Sequence, residues 1–374
     1  MDIYDEIGVK KYINAHDTYT VYGGSRMAEN TLTAMREASR SFVDLSELQE
    51  KLGDRIARLT RNQAAYITNG SSAGLLLSAA VCMTQGDPFL FSRLPDVSRC
   101  PRNEIIEMRC QRNAYDAAVS ASGARLVEIG DADETLETEL RGAIGEKTAA
   151  VFYYASSRYA GAAMPLEKVV EIAHGARVPV VVDAAAQLPP VENLWKFTSM
   201  GADLVLFSGG KTLCGPQPTG LIFGDPELIG YCRRFGAPAH GICRSSKVGR
   251  EEMTGLYTAV RNYMELNREE TRRRLESMVQ NFIDAMNTTG AFRAERLSRG
   301  PVGQTYPRAL GIIVADFAAE ELAAAMRAGD PGVYIGVDRS FGNAVYLSPL
   351  NLSDREAETV TAVLRKNVLK LLQC

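Results

Sequence analysis

FSGGKTLCGPQPTG (207–220) is the stretch on which the reading of this chain turns. It begins at the end of an apolar, strand-like run, DLVLFS (203–208), and leads into a second, GLIFG (220–224), so Lys211 stands just past a buried strand in a loop of small residues. Gly210-Lys211-Thr212 matches the end of a nucleotide-binding G-x-x-x-x-G-K-[ST] loop, but that pattern needs glycine at 205, where Val205 stands inside the strand. A Walker-type phosphate loop is therefore excluded. Most lysines sit in water, yet two glycines before this one and apolar flanks make it an unusual choice for solvent. A lysine ammonium taken out of water loses its proton more easily, and the neutral amine attacks aldehydes.

Upstream, short β-rich runs alternate with helical stretches, the pattern of a mostly parallel sheet covered by helices. The candidate strands are AAYIT (64–68), PFLF (88–91), EIIEM (104–108), ARLVEI (124–129), AAVFYYA (149–155), PVVVDA (179–184), DLVLFS (203–208) and GLIFG (220–224). Helices are expected over 71–86, closed by Gly86, and over 165–176, opened by Pro165. Downstream, apolar positions from Met253 to Met286 keep helical spacing around a charged middle, NREETRRRLE, which predicts one long helix or a kinked pair over 251–286, bridging two domains. The tail adds strand-like GIIVADF (311–317) and AVYLSPL (344–350) and helices over 318–328 and 353–372, a second and smaller α+β domain. The expected division is an N-terminal arm with part of the small domain (1–50), a large cofactor-binding domain (51–255), and a bridging helix with the small domain (256–374).

The 374 residues carry 42 basic and 45 acidic side chains, a net charge of −3, with 46% apolar residues. Such a balance disfavours a nucleic-acid partner, which needs a basic excess to neutralise phosphates. No apolar run reaches the roughly 18–20 residues that span a bilayer, and the N-terminus lacks a signal-peptide pattern. Seven scattered cysteines without a Cys-x-x-Cys pair suit a reducing cytosol. The three histidines, His16, His174 and His240, are too far apart to suggest a histidine-built metal site.

If Lys211 binds an aldehyde cofactor such as pyridoxal 5'-phosphate (PLP), the cofactor needs a carboxylate for its pyridinium nitrogen and a cradle of donors for its phosphate. Asp183 ends the apolar run VPVVVD, where an acid is costly unless it meets a cation or several donors. Thr68-Asn69-Gly70-Ser71-Ser72-Ala73-Gly74 puts small residues and backbone N–H groups where a strand turns into a helix, a natural anion site. Ser208 can add a hydroxyl.

In this order and spacing the chain resembles fold-type I PLP enzymes, and within them the selenocysteine synthase-like branch (L-seryl-tRNA selenium transferase-related, including amino-sugar-acid phosphate ammonia-lyases). The similar words include GGSRM (23–27), FVDLSELQEKLG (42–53), RNAYDAAVSASGA (112–124), VVDAAAQLPPVENL (181–194), GADLVLFSGGK (201–211) and SKVGREEMTGL (246–256), spanning about 6–285. The resemblance implies an α/β fold-type I architecture with a large, mostly parallel seven-stranded sheet between helices, plus a small α+β C-terminal domain. It implies that Lys211 carries the cofactor, that Asp183 meets the ring nitrogen, that Gly70, Ser71, Ser72 and Ser208 hold the phosphate, and that Ala185 lies against the ring. Gln217 and Thr219 are then candidates for a phosphate contact in a neighbouring subunit, which makes a homodimer or higher oligomer obligatory.

The sequence departs from the family where Gln111 replaces a histidine suited to ring stacking; an amide stacks less well and cannot titrate. His16, Arg26, Arg112, Asn113 and Arg244 are candidate substrate contacts, the arginines because a guanidinium fork pairs with carboxylate or phosphate. The expected activity is that of a cytosolic PLP-dependent lyase or transferase acting on a small amino acid or amino-sugar acid through a Cα carbanion, by elimination or β-replacement. An aminotransferase is the first alternative and an inactive PLP-binding scaffold another. Selenium transfer on charged tRNA is disfavoured by the acidic charge and by a family core that begins almost at residue 6.

Overall fold

The structure, a computed structural model, describes residues 2–373. Its contacts divide the chain into two units, Ser25–Glu265 and a second made of Met1–Gly24 with Leu266–Cys374. The larger unit thus begins earlier and ends later than the expected 51–255. The reason is packing: the helices Glu29–Ala38 and Leu45–Leu59 both lie against Arg250–Glu265.

The first strand, β1 (Tyr12–Asn14), belongs to the smaller unit. The larger unit is built on β2 (Ala64–Thr68), β3 (Glu104–Met108), β4 (Arg125–Ile129), β5 (Thr148–Tyr154), β6 (Val180–Asp183), β7 (Leu204–Ser208) and β8 (Gly220–Gly224). These form one seven-stranded sheet in the order β2-β8-β7-β6-β5-β3-β4, in which only β8 runs antiparallel to its neighbours. Helices cover both faces, so the central strands are apolar throughout: Val180, Val182, Val205 and Phe207 enter one core, and Val181, Leu204 and Leu206 the other.

Seven of the eight expected strands are present. The exception is PFLF, which lies in a short helix, Pro88–Arg93. Asp87 accepts from the N–H groups of Phe89 and Leu90, and proline occupies the first turn, where its missing N–H costs nothing. That capping signal outweighed the apolar run. Of the expected long helix or kinked pair, the structure has two helices, Arg250–Glu265 and Arg268–Thr288, one in each unit. Asn267 ends the continuity by capping the second, accepting from Glu270 N–H at 3.2 Å.

In the smaller unit β9 (Phe292–Leu297), β10 (Arg308–Ile313), β12 (Gly336–Val337) and β13 (Ala344–Leu347) form an antiparallel sheet in the order β12-β13-β10-β9. A separate pair joins β1 to β11 (Gly332–Tyr334) in parallel. Phe282, Met286, Leu322, Met326, Val360, Leu364 and Val368 from three helices fill its core.

Candidate active site

Backbone on both sides holds Lys211 half-buried beyond β7. Gly209 and Gly210 are required there, because a Cβ would stand 2.1 Å from the Thr219 hydroxyl oxygen in the first case and 2.5 Å from Gln217 Cα in the second. The loop closes on itself through Gly209 N–H to Thr219 O (2.8 Å) and Gly215 N–H to Gly209 O (2.9 Å). Ser25 donates to Gly210 O from both its N–H (3.1 Å) and its hydroxyl (3.0 Å), and the Thr212 hydroxyl donates to Leu188 O (2.9 Å).

Asp183 ends β6 beside this loop. Its Oδ1 accepts from Ala185 N–H at 2.9 Å, and Ala185 O in turn accepts from Ser208 N–H at 3.4 Å. Burial raises the Asp183 pKa, while the Ala185 N–H and the nearby Lys211 charge pull it down. Burial outweighs both, so the carboxylate is under-compensated and suits an additional cationic partner such as a pyridinium N–H.

The glycine–serine turn is formed as expected. Gly70 has φ +75° and opens the helix Gly70–Thr84, whose N-cap residue, Asn69, makes no side-chain capping bond. The Asn69 amide instead donates to Lys247 O at 2.7 Å, so the first turn has neither a side-chain cap nor an acidic residue. Strand register brings the turn to the lysine: Ser208 pairs with Gly220, and Gly220 with Thr68. A Cβ at Gly220 would sit 2.6 Å from Gly70 C and 2.8 Å from Ser71 N, so only glycine lets the two backbones approach. The residues present fit a pyridoxal phosphate: an uncapped helix N-terminus suits its anion, an under-compensated buried carboxylate its ring nitrogen and a half-buried lysine its aldehyde.

Gln111 is fully buried rather than open to a cleft. Its Oε1 accepts from Tyr154 N–H at 2.9 Å, and its Nε2 has no hydrogen-bond partner among the described residues. Tyr154 pairs with Asp183 across β5 and β6, which ties Gln111 to the same end of the sheet. Arg112, expected at a substrate, is engaged by carboxylates: it donates to Asp116 and Glu128 and lies 3.6 Å from Glu107 Oε2. Asn113 is also used locally, its amide donating to Gln111 O at 2.9 Å. Glu107 and Tyr154, missed in the sequence, form the buried floor of this cluster, with the Tyr154 hydroxyl 3.4 Å from Glu107 Oε1. An acid within the apolar strand EIIEM was the signal available for the first.

Arg26 lies at the lysine loop: burial raises the Cys214 thiol pKa, whereas a hydrogen bond with Ser25 and the charge of Arg26 lower it. Arg244 lines a cleft of about 650 Å³ with Asn69, Pro218, Lys247 and Arg250, next to the phosphate turn. Gln217 is exposed, whereas Thr219 is buried with its hydroxyl donating to Pro216 O at 2.5 Å. His16 belongs to the smaller unit, where its Nδ1 lies 3.1 Å from the Tyr22 hydroxyl. No group of three or more potential metal ligands occurs among the described residues.

A parallel-dominated sheet of this order, with a loop lysine, a strand-end aspartate and an uncapped glycine–serine turn at one edge, defines a PLP-dependent enzyme of fold type I. Within that class the chain belongs to the L-seryl-tRNA selenium transferase family, whose model matches residues 20–305. It is 30% identical to D-glucosaminate-6-phosphate ammonia lyase of Salmonella typhimurium, over 98% of this chain and 97% of that protein. It is 31% identical to 5'-C-glycyluridine monooxygenase-decarboxylase of a Streptomyces species, over 98% and 92%. A solved structure of D-glucosaminate-6-phosphate ammonia-lyase superposes with a TM-score of 0.86 at 28% identity, covering 99% of both chains.

Proposed function

We propose that this protein is an ammonia-lyase-type enzyme that removes the Cα proton of an amino-sugar acid or related amino acid and expels a β-substituent, releasing ammonia and a keto acid. The similarity to D-glucosaminate-6-phosphate ammonia lyase along nearly the whole chain carries this reading. Bound PLP supplies an aldehyde for the lysine amine and an electron sink for the substrate's Cα. Lys211 would hold the aldehyde, and its Nζ, once free, would be the base placed to take the Cα proton. Asp183, rigid at the end of β6, keeps a proton on the ring nitrogen. Gly70, Ser71, Ser72 and Ser208 would hold the phosphate, and Ala185 would lie against the ring. Arg250 is paired with Glu251 at 2.9 Å and Glu252 also lines the cleft, so Arg244 and Lys247, beside the phosphate turn, are its candidates for an anionic substrate tail.

Borohydride trapping tests the lysine: wild-type protein should show reducible cofactor absorbance, and Lys211→Ala should lose it. Amino-sugar acids should then give equimolar ammonia and keto acid without an acceptor. Stoichiometric amination of the cofactor instead would mark an aminotransferase.

The nearly equal identity to 5'-C-glycyluridine monooxygenase-decarboxylase favours one second reading, in which loss of a carboxylate and consumption of dioxygen replace elimination. Oxygen uptake with carbon dioxide release during turnover separates the two. We also read the protein as a homodimer or larger homo-oligomer. Phe42 is 97% exposed, and its neighbour Val43 lines the cleft of Arg244 and Lys247, an arrangement suited to coverage by another subunit. Exposed Gln217, rather than buried Thr219, then suits the intersubunit contact. Six unpaired cysteines among the described residues support a cytosolic setting. No helix of the described residues is long and apolar enough to cross a membrane.

A further inference from the structure

Asp183 ends β6 between two residues of the neighbouring strands, Tyr154 of β5 and Leu206 of β7, which pair with it in register. Paired residues of parallel strands point to one face, so these two side chains flank the carboxyl. Leu206 does so by packing alone: it is wedged beneath the helix Gly70–Thr84, where a Cβ at Gly74 would stand 2.5 Å from its Cδ2. Tyr154 is held by polar groups. Its N–H donates to Gln111 Oε1 at 2.9 Å, and its hydroxyl lies 3.4 Å from Glu107 Oε1, with Asp116 also beside it. Burial first, then the charges of Glu107, Asp183 and Asp116, raise the Tyr154 pKa, so the hydroxyl keeps its proton and acts as a donor.

The acids around this hydroxyl outnumber their cations. Glu128 is paired by Arg109 at 3.2 Å and by Arg112, and Asp116 takes Arg112 as well. Those two arginines balance those two acids. Fully buried Glu107 has no cation of its own, since Arg112 Nε is 3.6 Å from its Oε2, too far for a hydrogen bond. Glu107 Oε2 and Asp116 Oδ1 are both buried without a hydrogen-bond partner among the described residues. One proton answers both defects. Protonated at Oε2, Glu107 is neutral and offers Asp116 the donor it lacks, while its Oε1 still accepts from Tyr154. Burial and the Asp116 charge, which raise the Glu107 pKa, favour that state. An apolar side chain would fill the same space at less cost, so this buried cluster beside β5 calls for a role other than packing.

We propose, on the reading of Asp183 as the partner of the ring nitrogen, that Tyr154 is a positioning residue: held by a neutral Glu107, its ring keeps the Asp183 carboxyl in the one orientation that meets PLP.

The test follows the visible absorbance of the holoenzyme's cofactor as pH is raised. A proton on the ring nitrogen is a positive charge that disfavours a second on the nitrogen contributed by Lys211, so a weakened hold by Asp183 raises the pH midpoint of the colour change. Asp183→Asn sets the size of that shift. Tyr154→Leu should move the midpoint the same way by about half a unit or more, and weaken PLP binding in equilibrium dialysis by about threefold or more. Tyr154→Phe, which keeps the ring but frees it from Glu107, should move the midpoint part of the way and decides the matter if the leucine variant does not fold. Glu107→Gln, a neutral isostere of the protonated acid, should not raise the midpoint, whereas Glu107→Leu should. An equal rise in both Glu107 variants would overturn the neutral-acid hold. A midpoint moved by Asp183→Asn but by neither Tyr154 variant would overturn the role of Tyr154 and leave that of Asp183 in place. A midpoint unmoved by Asp183→Asn would remove the Asp183 reading and the positioning role with it.

Discussion

Gly220 stands at the closest approach between the lysine-loop exit and the phosphate turn, and it has no room for a side chain. In Gly220→Ala the added methyl must push Gly70 and Ser71 away, which we expect to destabilise the protein by about 1–3 kcal/mol, as overpacking does elsewhere. PLP should bind roughly tenfold more weakly, about 1.4 kcal/mol. Equilibrium dialysis with PLP beside urea unfolding measures both, and unchanged PLP affinity would detach Gly220 from the cofactor site. Gln111 makes a comparable prediction. Gln111→Ala leaves Tyr154 N–H without its acceptor inside the sheet, a loss of about 1–3 kcal/mol by urea unfolding. Lys211 and Asp183 were legible in sequence because each is chemically costly where it stands, a cation and an acid at the ends of apolar strands. The setting of Gln111 was not legible, since its partner is a main-chain N–H 43 residues away.

At the scale of elements, β3 carries Glu107 fully buried among helix-covered strands. Burial pushes its pKa up to about 7 from 4.5, with the Asp116 charge adding to this and Arg112 opposing it. The folded protein therefore holds a proton between these values that the unfolded chain has released. Stability should fall as pH rises from about 4.5 to about 7 and level off above. Glu107→Gln should remove this slope, gaining about 2.5 kcal/mol on wild type between pH 5 and pH 8. Denaturant melts of both proteins at the two pH values check it, and parallel slopes would refute it. The same scale shows where pattern reading works. Long apolar strands flanked by glycine, such as GLIFG, match β8 residue for residue, whereas the short run PFLF was overruled by the capping aspartate and proline before it.

For the whole molecule, the exposed Phe42 beside the Arg244–Lys247 cleft predicts a mass in sedimentation equilibrium at least twice that of one chain. Phe42→Asp, which in an isolated subunit removes a ring that is 97% exposed together with its cation–π contact to Arg250, should raise the dissociation constant by roughly tenfold or more. A wild-type monomer would remove the intersubunit role of Gln217. The alternation of strands and helices, the loop lysine, the strand-end aspartate and the glycine–serine turn were determined by sequence alone, because burial pattern, backbone freedom and the cost of misplaced charge are local properties. Tertiary structure decided which distant groups meet. It set Gly220 against Gly70, tied Arg112 to three acids instead of offering it to a substrate, buried Gln111 against Tyr154, and set Tyr154 between Asp183 and Glu107. Such pairings depend on strand order and register, which bring together residues far apart in the chain and which no local pattern encodes.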